Sequence, residues 1–201
     1  MGQGLFITFE GTEGSGKTTQ VELLGEKLSH RQPVVVREPG GTELGERMRQ
    51  LLLGSGMDLD GEAEMNLFMA ARRQLLHEVI KPSLALGRIV IADRYHDSTF
   101  AYQGGGRGVK VVWPASFPRP DMTFLLALPV KSGRERQLSA GKTADRVERE
   151  SLEFHNRVAA EYERLAAAEP ERITRLDASE SREAVHHKVW SRVAPAVEAL
   201  T

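Results

Sequence analysis

The chain has 201 residues, a formal net charge of −1 and no cysteine. This length suits one domain with a substantial core, and the near-zero charge does not indicate a nucleic-acid or membrane-surface protein. Without cysteine the chain forms no disulfide and no thiolate metal site. No apolar run approaches the length of a membrane span, so we expect a cytoplasmic protein.

Predicted strands and helices alternate along the chain. Short apolar, β-branched runs predict strands at residues 5–9, 34–36, 89–92, 124–128 and 173–176. Helical spacing of apolar residues predicts helices at 19–28, 43–53, 62–86, 152–168 and 182–200, and Pro82 is expected to bend the third of them. This alternation predicts an α/β fold with a parallel five-stranded sheet flanked by helices on both faces.

A glycine-rich stretch between the first strand and the first helix is the strongest motif. Residues 11–18 read GTEGSGKT and fit the phosphate-loop pattern G-x-x-x-x-G-K-[ST] at every fixed position. The glycines let backbone N–H groups converge on a phosphate, and the helix start adds further unpaired N–H groups. We expect Lys17 to reach the outer phosphates and the Thr18 hydroxyl to help hold Mg²⁺. The residues expected to bind nucleotide phosphates are Gly11, Thr12, Glu13, Gly14, Ser15, Gly16, Lys17, Thr18 and Thr19.

Polar residues follow the ends of several predicted strands. Glu10, Glu38, Asp93 and Arg94 occupy such positions, and ligands of parallel sheets bind at this edge. An acid placed like Asp93 in a phosphate-loop protein commonly serves Mg²⁺, directly or through water. The alternative for Asp93 is an ordinary loop salt bridge.

Other candidate segments are ambiguous from composition alone. Residues 95–108 suit a small polar ligand with a flat face, although a glycine-rich surface loop explains them almost as well. The segment 131–149 is either a charged helix or part of a mobile lid, at about 139–150, that closes over phosphates. Its cations include Arg134, Arg136, Lys142, Arg146 and Arg149. Phe68 and Arg72 share a helix face, and their spacing alone favours a core phenylalanine beside a surface arginine.

Taken together, these motifs resemble the thymidylate kinase family of the bacterial type. The resemblance rests on residues 9–20, 37–42, 93–98, 101–104 and 145–146, and it extends to the C-terminal helix. The segments REPGGT (37–42) and DRYHDS (93–98) are specific to this family, whereas many proteins share the phosphate loop. The resemblance implies a P-loop fold of the nucleoside monophosphate kinase type. It also implies a homodimer that uses Mg²⁺ to transfer the ATP γ-phosphate to dTMP, giving dTDP and ADP for dTTP biosynthesis.

The resemblance further implies roles for individual residues. Phe68 stacks on the thymine, Arg72, Thr99 and Gln103 recognise the base, and Tyr102 crowds the sugar 2′ position. Arg49 and Arg94 hold the dTMP phosphate, Glu13 lies near the 3′-hydroxyl, and Pro39 and Ser98 belong to the same site. Since the variable loop residues 12–15 include no cation, the transition-state arginine is expected from the lid, with Arg146 first and Arg149 second. The expected catalytic residues are Glu13, Lys17, Asp93, Arg94 and Arg146.

The chain also departs from the family pattern. The segment 109–120 is shorter than usual, so that a helix is trimmed there, and Ala127 stands where an acid is common. Ser139 and Ala140 replace basic residues of the lid. Two other functions stay open from the residues: a kinase for another nucleoside monophosphate or a deoxynucleoside, and a non-catalytic nucleotide-binding switch.

Overall fold

A computed structural model describes residues 4–54, 57–141 and 143–200. Its sheet consists of β1 (Leu5–Glu10), β2 (Val34–Arg37), β3 (Ile89–Asp93), β4 (Met122–Ala127) and β5 (Ile173–Asp177). Neighbouring strands pair in parallel in the order β2-β3-β1-β4-β5. The predicted five-stranded parallel sheet is therefore confirmed.

Helices cover the sheet. They are α1 (Lys17–Lys27), α2 (Glu43–Leu53), α3 (Gly61–Leu75), α4 (Lys81–Ala85), α5 (His96–Thr99), α6 (Val130–Ser139), α7 (Leu152–Ala168) and α8 (Arg182–Glu198). The predicted bounds of α2 and α7 are confirmed, and the side chains of Thr42 and Ser151 cap their N-termini. Among the described residues, no helix has both the length and the apolar character needed to cross a membrane.

The long helix predicted at 62–86 is helical in the structure from 61 to 85, but its helix type changes along the way. A π-helical turn, Leu76–Ile80, joins α3 to α4. Pro82 lies in the first turn of α4, directly after this π-helical turn. A local change in helix type thus lies just before the proline, where the sequence predicts a bend.

Residues 95–108 are not a surface loop. After α5 the chain continues as a π-helical segment, Phe100–Gly106, whose residues are buried or half-buried. A Cβ on Gly106 would collide with the ring of Phe154 in α7, so this glycine permits close helix packing. The following residues 109–120 are all described and contain no helix, as expected for the shortened segment.

The packing of the core fixes the edge of the sheet where the carboxyl ends of the strands lie, and the candidate site is at this edge. β1 is buried along its whole length, and one face of the sheet packs on α1 and α8 through Leu24, Val189 and Val193. Part of the other face packs on α7 through Val158 and Leu165. Glu10, Arg37 and Asp93 end their strands at one edge.

Candidate active site

The glycine-rich loop between β1 and α1 closes around the side chain of Lys17. The Nζ atom donates to the carbonyl oxygens of Gly11 (3.0 Å) and Thr12 (2.8 Å) and lies 3.4 Å from Ser15 Oγ. Burial, followed by the charge of Arg94, lowers the pKa of Lys17 to about 8. The ammonium group is therefore poorly compensated in the loop and gains from a phosphate placed beside it.

Glycine is required in this loop for two reasons. Gly11 and Gly14 adopt φ values of 141° and 70°, which residues with side chains rarely adopt. A Cβ on Gly14 would also collide with the carbonyl oxygen of Gly133 in α6. The loop and α6, which precedes the predicted lid, thus touch backbone to backbone.

The two residues expected at a magnesium ion lie side by side. Thr18 Oγ1 donates to Asp93 Oδ2 at 2.6 Å. In the part of the chain that the structure describes, no group of three or more His, Cys, Asp or Glu residues is arranged to hold a metal. A pair of oxygen ligands fits Mg²⁺, because this ion usually keeps several waters and binds substrate phosphates as well.

Arg94 joins the phosphate loop to a second wall of the site. This wall consists of α3 and the helical residues 96–106. Its φ of 73° is left-handed, a conformation that is rare for a residue with a side chain and that clusters at functional sites. Its guanidinium donates to Gly11 O (3.0 Å), Glu13 Oε1 (3.0 Å) and the Tyr102 hydroxyl (3.1 Å). Burial opposes the charge, yet the surrounding tyrosines and carboxylates raise the pKa of Arg94 above its ordinary value. The cation is held permanently charged where the two walls meet.

Glu10 forms a buried anchor at the end of β1. Its Oε1 accepts from the Tyr95 N–H (2.7 Å), and its Oε2 accepts from Ser98 Oγ (2.6 Å) and the Tyr162 hydroxyl (2.8 Å). Burial, followed by the charge of Asp97, raises the pKa of Glu10 to about 7. Ser98, which the resemblance assigns to the dTMP site, therefore also orients the ends of β1 and β3.

Arg72 is 2% exposed, so the surface position favoured by helical spacing is wrong. Its Nε donates to Glu38 Oε2 (2.6 Å), Nη1 donates to Thr99 Oγ1 (2.7 Å), and Nη2 donates to Tyr95 O (3.0 Å). Burial raises the pKa of Glu38 to about 7 despite the Arg72 charge. Phe68, one turn earlier on α3, is half-buried.

His96 completes the surroundings of Arg72. Its Nδ1 lies 3.1 Å from Arg72 Nη1 and its Nε2 lies 3.0 Å from Val112 O. A guanidinium only donates, so Nδ1 accepts and Nε2 carries the proton. Burial, followed by the Arg72 charge, lowers the pKa of His96 to about 3, which keeps this ring neutral.

Glu64, on α3, gathers three donors beneath the same wall. Its Oε1 accepts from Gln103 Nε2 (2.8 Å), and its Oε2 accepts from Arg107 (3.1 Å) and Arg146 (2.6 Å). Burial opposes ionisation, but these donors hold the pKa of Glu64 below its ordinary value. Arg146 also donates to Leu52 O (2.8 Å), so its guanidinium is held at this wall and not at the phosphate loop.

The other lid cations are distributed differently. Arg149 donates to Ala144 O (3.1 Å). Arg136, on α6, is exposed, and its Nη1 lies 3.5 Å from Gly14 O in the phosphate loop. The structure thus brings Arg136 to the loop, and neither of the two preferred arginines. Lys142 lies outside the described residues.

Arg49, on α2, contacts the turn that follows β2. Its Nη1 donates to Pro39 O at 2.9 Å. Burial, followed by the charge of Arg37, lowers the pKa of Arg49, and Arg94 acts in the same direction. Because Arg37 and Arg94 both disfavour the positive charge of Arg49, an anion bound beside these arginines would be stabilised.

Sequence reasoning missed three buried groups: Glu64, His155 and Tyr162. His155 and Tyr162 are seven residues apart on α7 and share its buried face with Val158 and Leu165. Polar residues within an apolar helical stripe are the signal that was available. Glu64 stands one turn before Phe68 on the same helix face.

Comparison with known proteins identifies the family of the chain. The sequence model of the family described as thymidylate kinase matches residues 9–189. The chain is 45% identical over 202 residues to a thymidylate kinase of Halothermothrix orenii, covering 95% of this chain and 97% of that one. It is 46% identical over 194 residues to a thymidylate kinase of Cupriavidus pinatubonensis, covering 91% and 94%. The crystal structure of thymidylate kinase from Ehrlichia chaffeensis superposes with a TM-score of 0.76 at 34% identity, covering 96% of this chain and 99% of that one.

Proposed function

Because the chain belongs to the thymidylate kinase family, and so transfers the γ-phosphate of ATP to dTMP to give dTDP and ADP, we propose that the two substrates meet at Arg94. The observation that carries the proposal is the double attachment of this guanidinium, to Gly11 O and Glu13 Oε1 in the phosphate loop and to the Tyr102 hydroxyl opposite. Family membership decides against a non-catalytic switch and against a kinase for another nucleotide.

The donor half of the proposed site is the loop 11–19. Its N–H groups and Lys17 bind the ATP phosphates, and the lowered pKa of Lys17 supports this role because a phosphate restores its missing counter-charge. Thr18 and Asp93 would hold Mg²⁺. When bound, that ion offsets charge on the phosphate oxygens and orients them.

The acceptor half binds dTMP. Phe68 stacks on the base, and Thr99, Gln103 and Arg72 recognise its edge. Arg72 donates only one bond from Nη2 within the described residues, to Tyr95 O, which leaves the second N–H of that atom for a ligand. Pre-bound donors of this kind lose little entropy when the substrate binds.

The phosphate and sugar of dTMP lie nearer to Arg94 than the base does. Arg49 and Arg94 hold the phosphate. The lowered pKa of Arg49 supports this role, since burial and then the charge of Arg37 disfavour its cation and Arg94 acts in the same direction. Tyr102 crowds the 2′ position and Glu13 accepts from the 3′-hydroxyl, with Pro39 and Ser98 framing the site. Transfer then needs little covalent help from the protein, since the two phosphates are aligned and their repulsion is offset.

The segment at about 139–150 is proposed as the mobile lid. Of the two preferred arginines, Arg146 is bound to Glu64 and Arg149 donates to the carbonyl oxygen of Ala144. The contact of Arg136 with the loop favours Arg136 as the arginine that offsets charge on the transferred phosphate. Arg146 then acts from the acceptor wall through Glu64.

The test of the proposal is Arg94→Lys, with Arg88→Lys as its matched control. Arg88 is exposed and donates to Gln32 O, away from the cleft. A lysine keeps the charge but cannot bridge both walls, so kcat/KM for dTMP should fall about 100-fold or more, by analogy with other lost charge-stabilising donors. Equal activity of the two variants would contradict the proposal.

Two further features of the family are part of the proposal. A homodimer is supported by the exposed side chains of Leu44 and Leu51, which lie seven residues apart on α2 and share one face. Sedimentation of the wild type and of Leu51→Lys tests this, and a monomer in both cases would contradict it. A cytoplasmic location is proposed on family membership alone, and cell fractionation tests it.

A further inference from the structure

One buried polar side chain that faces Glu13 has no role so far. His155, on α7, is 3% exposed, and its Nδ1 lies 3.4 Å from Glu13 Oε2. Two atoms of this pair, Glu13 Oε2 and His155 Nε2, are buried without a hydrogen-bond partner among the residues that the structure describes. Unsatisfied buried polar atoms are costly, and so their presence calls for an explanation.

The two oxygens of Glu13 are not equivalent. Oε1 accepts from Arg94 Nη2 (3.0 Å) and from the Tyr102 hydroxyl, so that its lone pairs are used. Oε2 faces His155 at a distance too long for a good hydrogen bond. It therefore retains the capacity to accept a hydrogen bond from a ligand.

The carboxylate is also held in its ionised form. Burial opposes ionisation, but His155, Arg94 and Lys17 hold the pKa of Glu13 well below its ordinary value. An ionised carboxylate accepts and cannot donate. The partner that satisfies Oε2 must therefore carry an O–H or N–H group.

We propose that His155 is a positioning residue that turns Glu13 Oε2 toward the 3′-hydroxyl of the acceptor nucleotide and so makes the site selective for a hydrogen-bond donor at that position. This inference rests on the proposed role of Glu13. When a nucleotide lacks the donor, the buried oxygen stays unpaired, and such a loss discriminates strongly between substrates.

A purely structural role for His155 makes a different prediction. His155 belongs to the buried face of α7, next to Phe154 and one turn before Val158. If it only fills space there, its replacement weakens every acceptor nucleotide alike. A positioning role instead changes the ratio between an acceptor with a 3′-hydroxyl and one without.

The experiment compares kcat/KM for dTMP and for 3′-deoxythymidine 5′-monophosphate. His155→Phe fills the volume without a donor, His155→Gln restores a donor, and Val158→Ala is the packing control on the same helix. We expect His155→Phe to reduce the preference for dTMP about tenfold, as for the loss of one well-placed interaction of about 1.4 kcal/mol. His155→Gln and Val158→Ala should keep that preference within about threefold, less than half of that free energy. An equal loss for both nucleotides in His155→Phe would overturn the proposal.

Two further arms keep the outcome interpretable. Glu13→Gln tests the proposed function itself: if it leaves the preference unchanged, Glu13 does not face the 3′-hydroxyl, and the proposal for His155 falls with it. The wild-type protein supplies the second arm, should His155→Phe fail to fold. Its His155 ring resonances should shift on binding dTMP and much less on binding the 3′-deoxy nucleotide, and identical shifts would contradict the positioning role.

Discussion

The pair of Arg72 and Glu38 offers a sharp test of how the acceptor wall is built. Both side chains are buried and joined by a 2.6 Å ion pair. Arg72→Met removes the cation, and it leaves the Glu38 carboxylate and the Tyr95 carbonyl oxygen without their donor. Removing one member of a buried pair costs about 3–5 kcal/mol of the free energy of unfolding. For a chain of this length each kcal/mol lowers Tm by about 2–4 °C, so we expect a fall of about 6–20 °C.

The effect depends on pH with a defined sign. The folded-state pKa of Glu38 is already raised, to about 7, and losing Arg72 raises it further. A carboxyl group of this kind destabilises the fold as pH rises through its folded pKa. The stability gap between wild type and Arg72→Met should therefore widen from pH 5.5 to pH 8, since protonated Glu38 needs no cation.

Urea denaturation followed by circular dichroism measures both effects. Adding Glu38→Gln to Arg72→Met removes the buried charge and should recover more than half of the loss. The matched control is Arg73→Met, because Arg73 is the exposed neighbour on α3 and contacts only the ring of Phe117 among the described aromatic groups. It should cost less than about 1 kcal/mol. Equal losses at Arg72 and Arg73, or no recovery in the double variant, would refute the reasoning.

Three further predictions concern the donor half and the lid. The kcat/KM for ATP should decline as pH rises through about 8, because Lys17 of the free enzyme then loses its proton. Lys17→Arg should abolish that decline. A wild-type pH profile that stays flat to about pH 10 would contradict the prediction. Asp93→Asn should raise the Mg²⁺ concentration needed for half-maximal rate about 10–100-fold. Titrations should show that ATP binding without metal is unchanged. An unaltered Mg²⁺ dependence would mean that Asp93 only forms a hydrogen bond with Thr18. Arg136→Ala should lower kcat with the Kd for dTMP unchanged, whereas Arg146→Ala should weaken dTMP binding. The reverse result would return the transition-state role to Arg146.

Elements with consistent local signals could be predicted from the sequence. The bounds of α2 and α7 follow from a capping Thr42 or Ser151 before an amphipathic run. The phosphate loop was recognisable because its glycines are required by the backbone itself. The parallel sheet could be predicted because β-branched strands alternate with amphipathic helices, and both patterns are visible within short stretches of sequence.

Features that depend on distant partners could not be predicted. The glycines of residues 104–106 locally disfavour a helix, and the helical form of this segment reflects its packing against α7. Arg146 donates to Glu64, which lies 82 residues earlier in the chain. Sequence spacing therefore could not show where the Arg146 side chain points. Arg72 is buried because Glu38 neutralises it, and no pattern on α3 alone reveals that pairing.

The division of the cleft into two independent halves is tested most directly by titrating Phe68→Ala with dTMP and, separately, with a non-hydrolysable ATP analogue. Stacking of a base on an aromatic ring contributes about 1–3 kcal/mol, so the Kd for dTMP should rise about 5–150-fold. The Kd for the ATP analogue should stay within about twofold, an effect of less than about 0.5 kcal/mol. An equal loss of affinity for both nucleotides would contradict the placement of the acceptor site on α3.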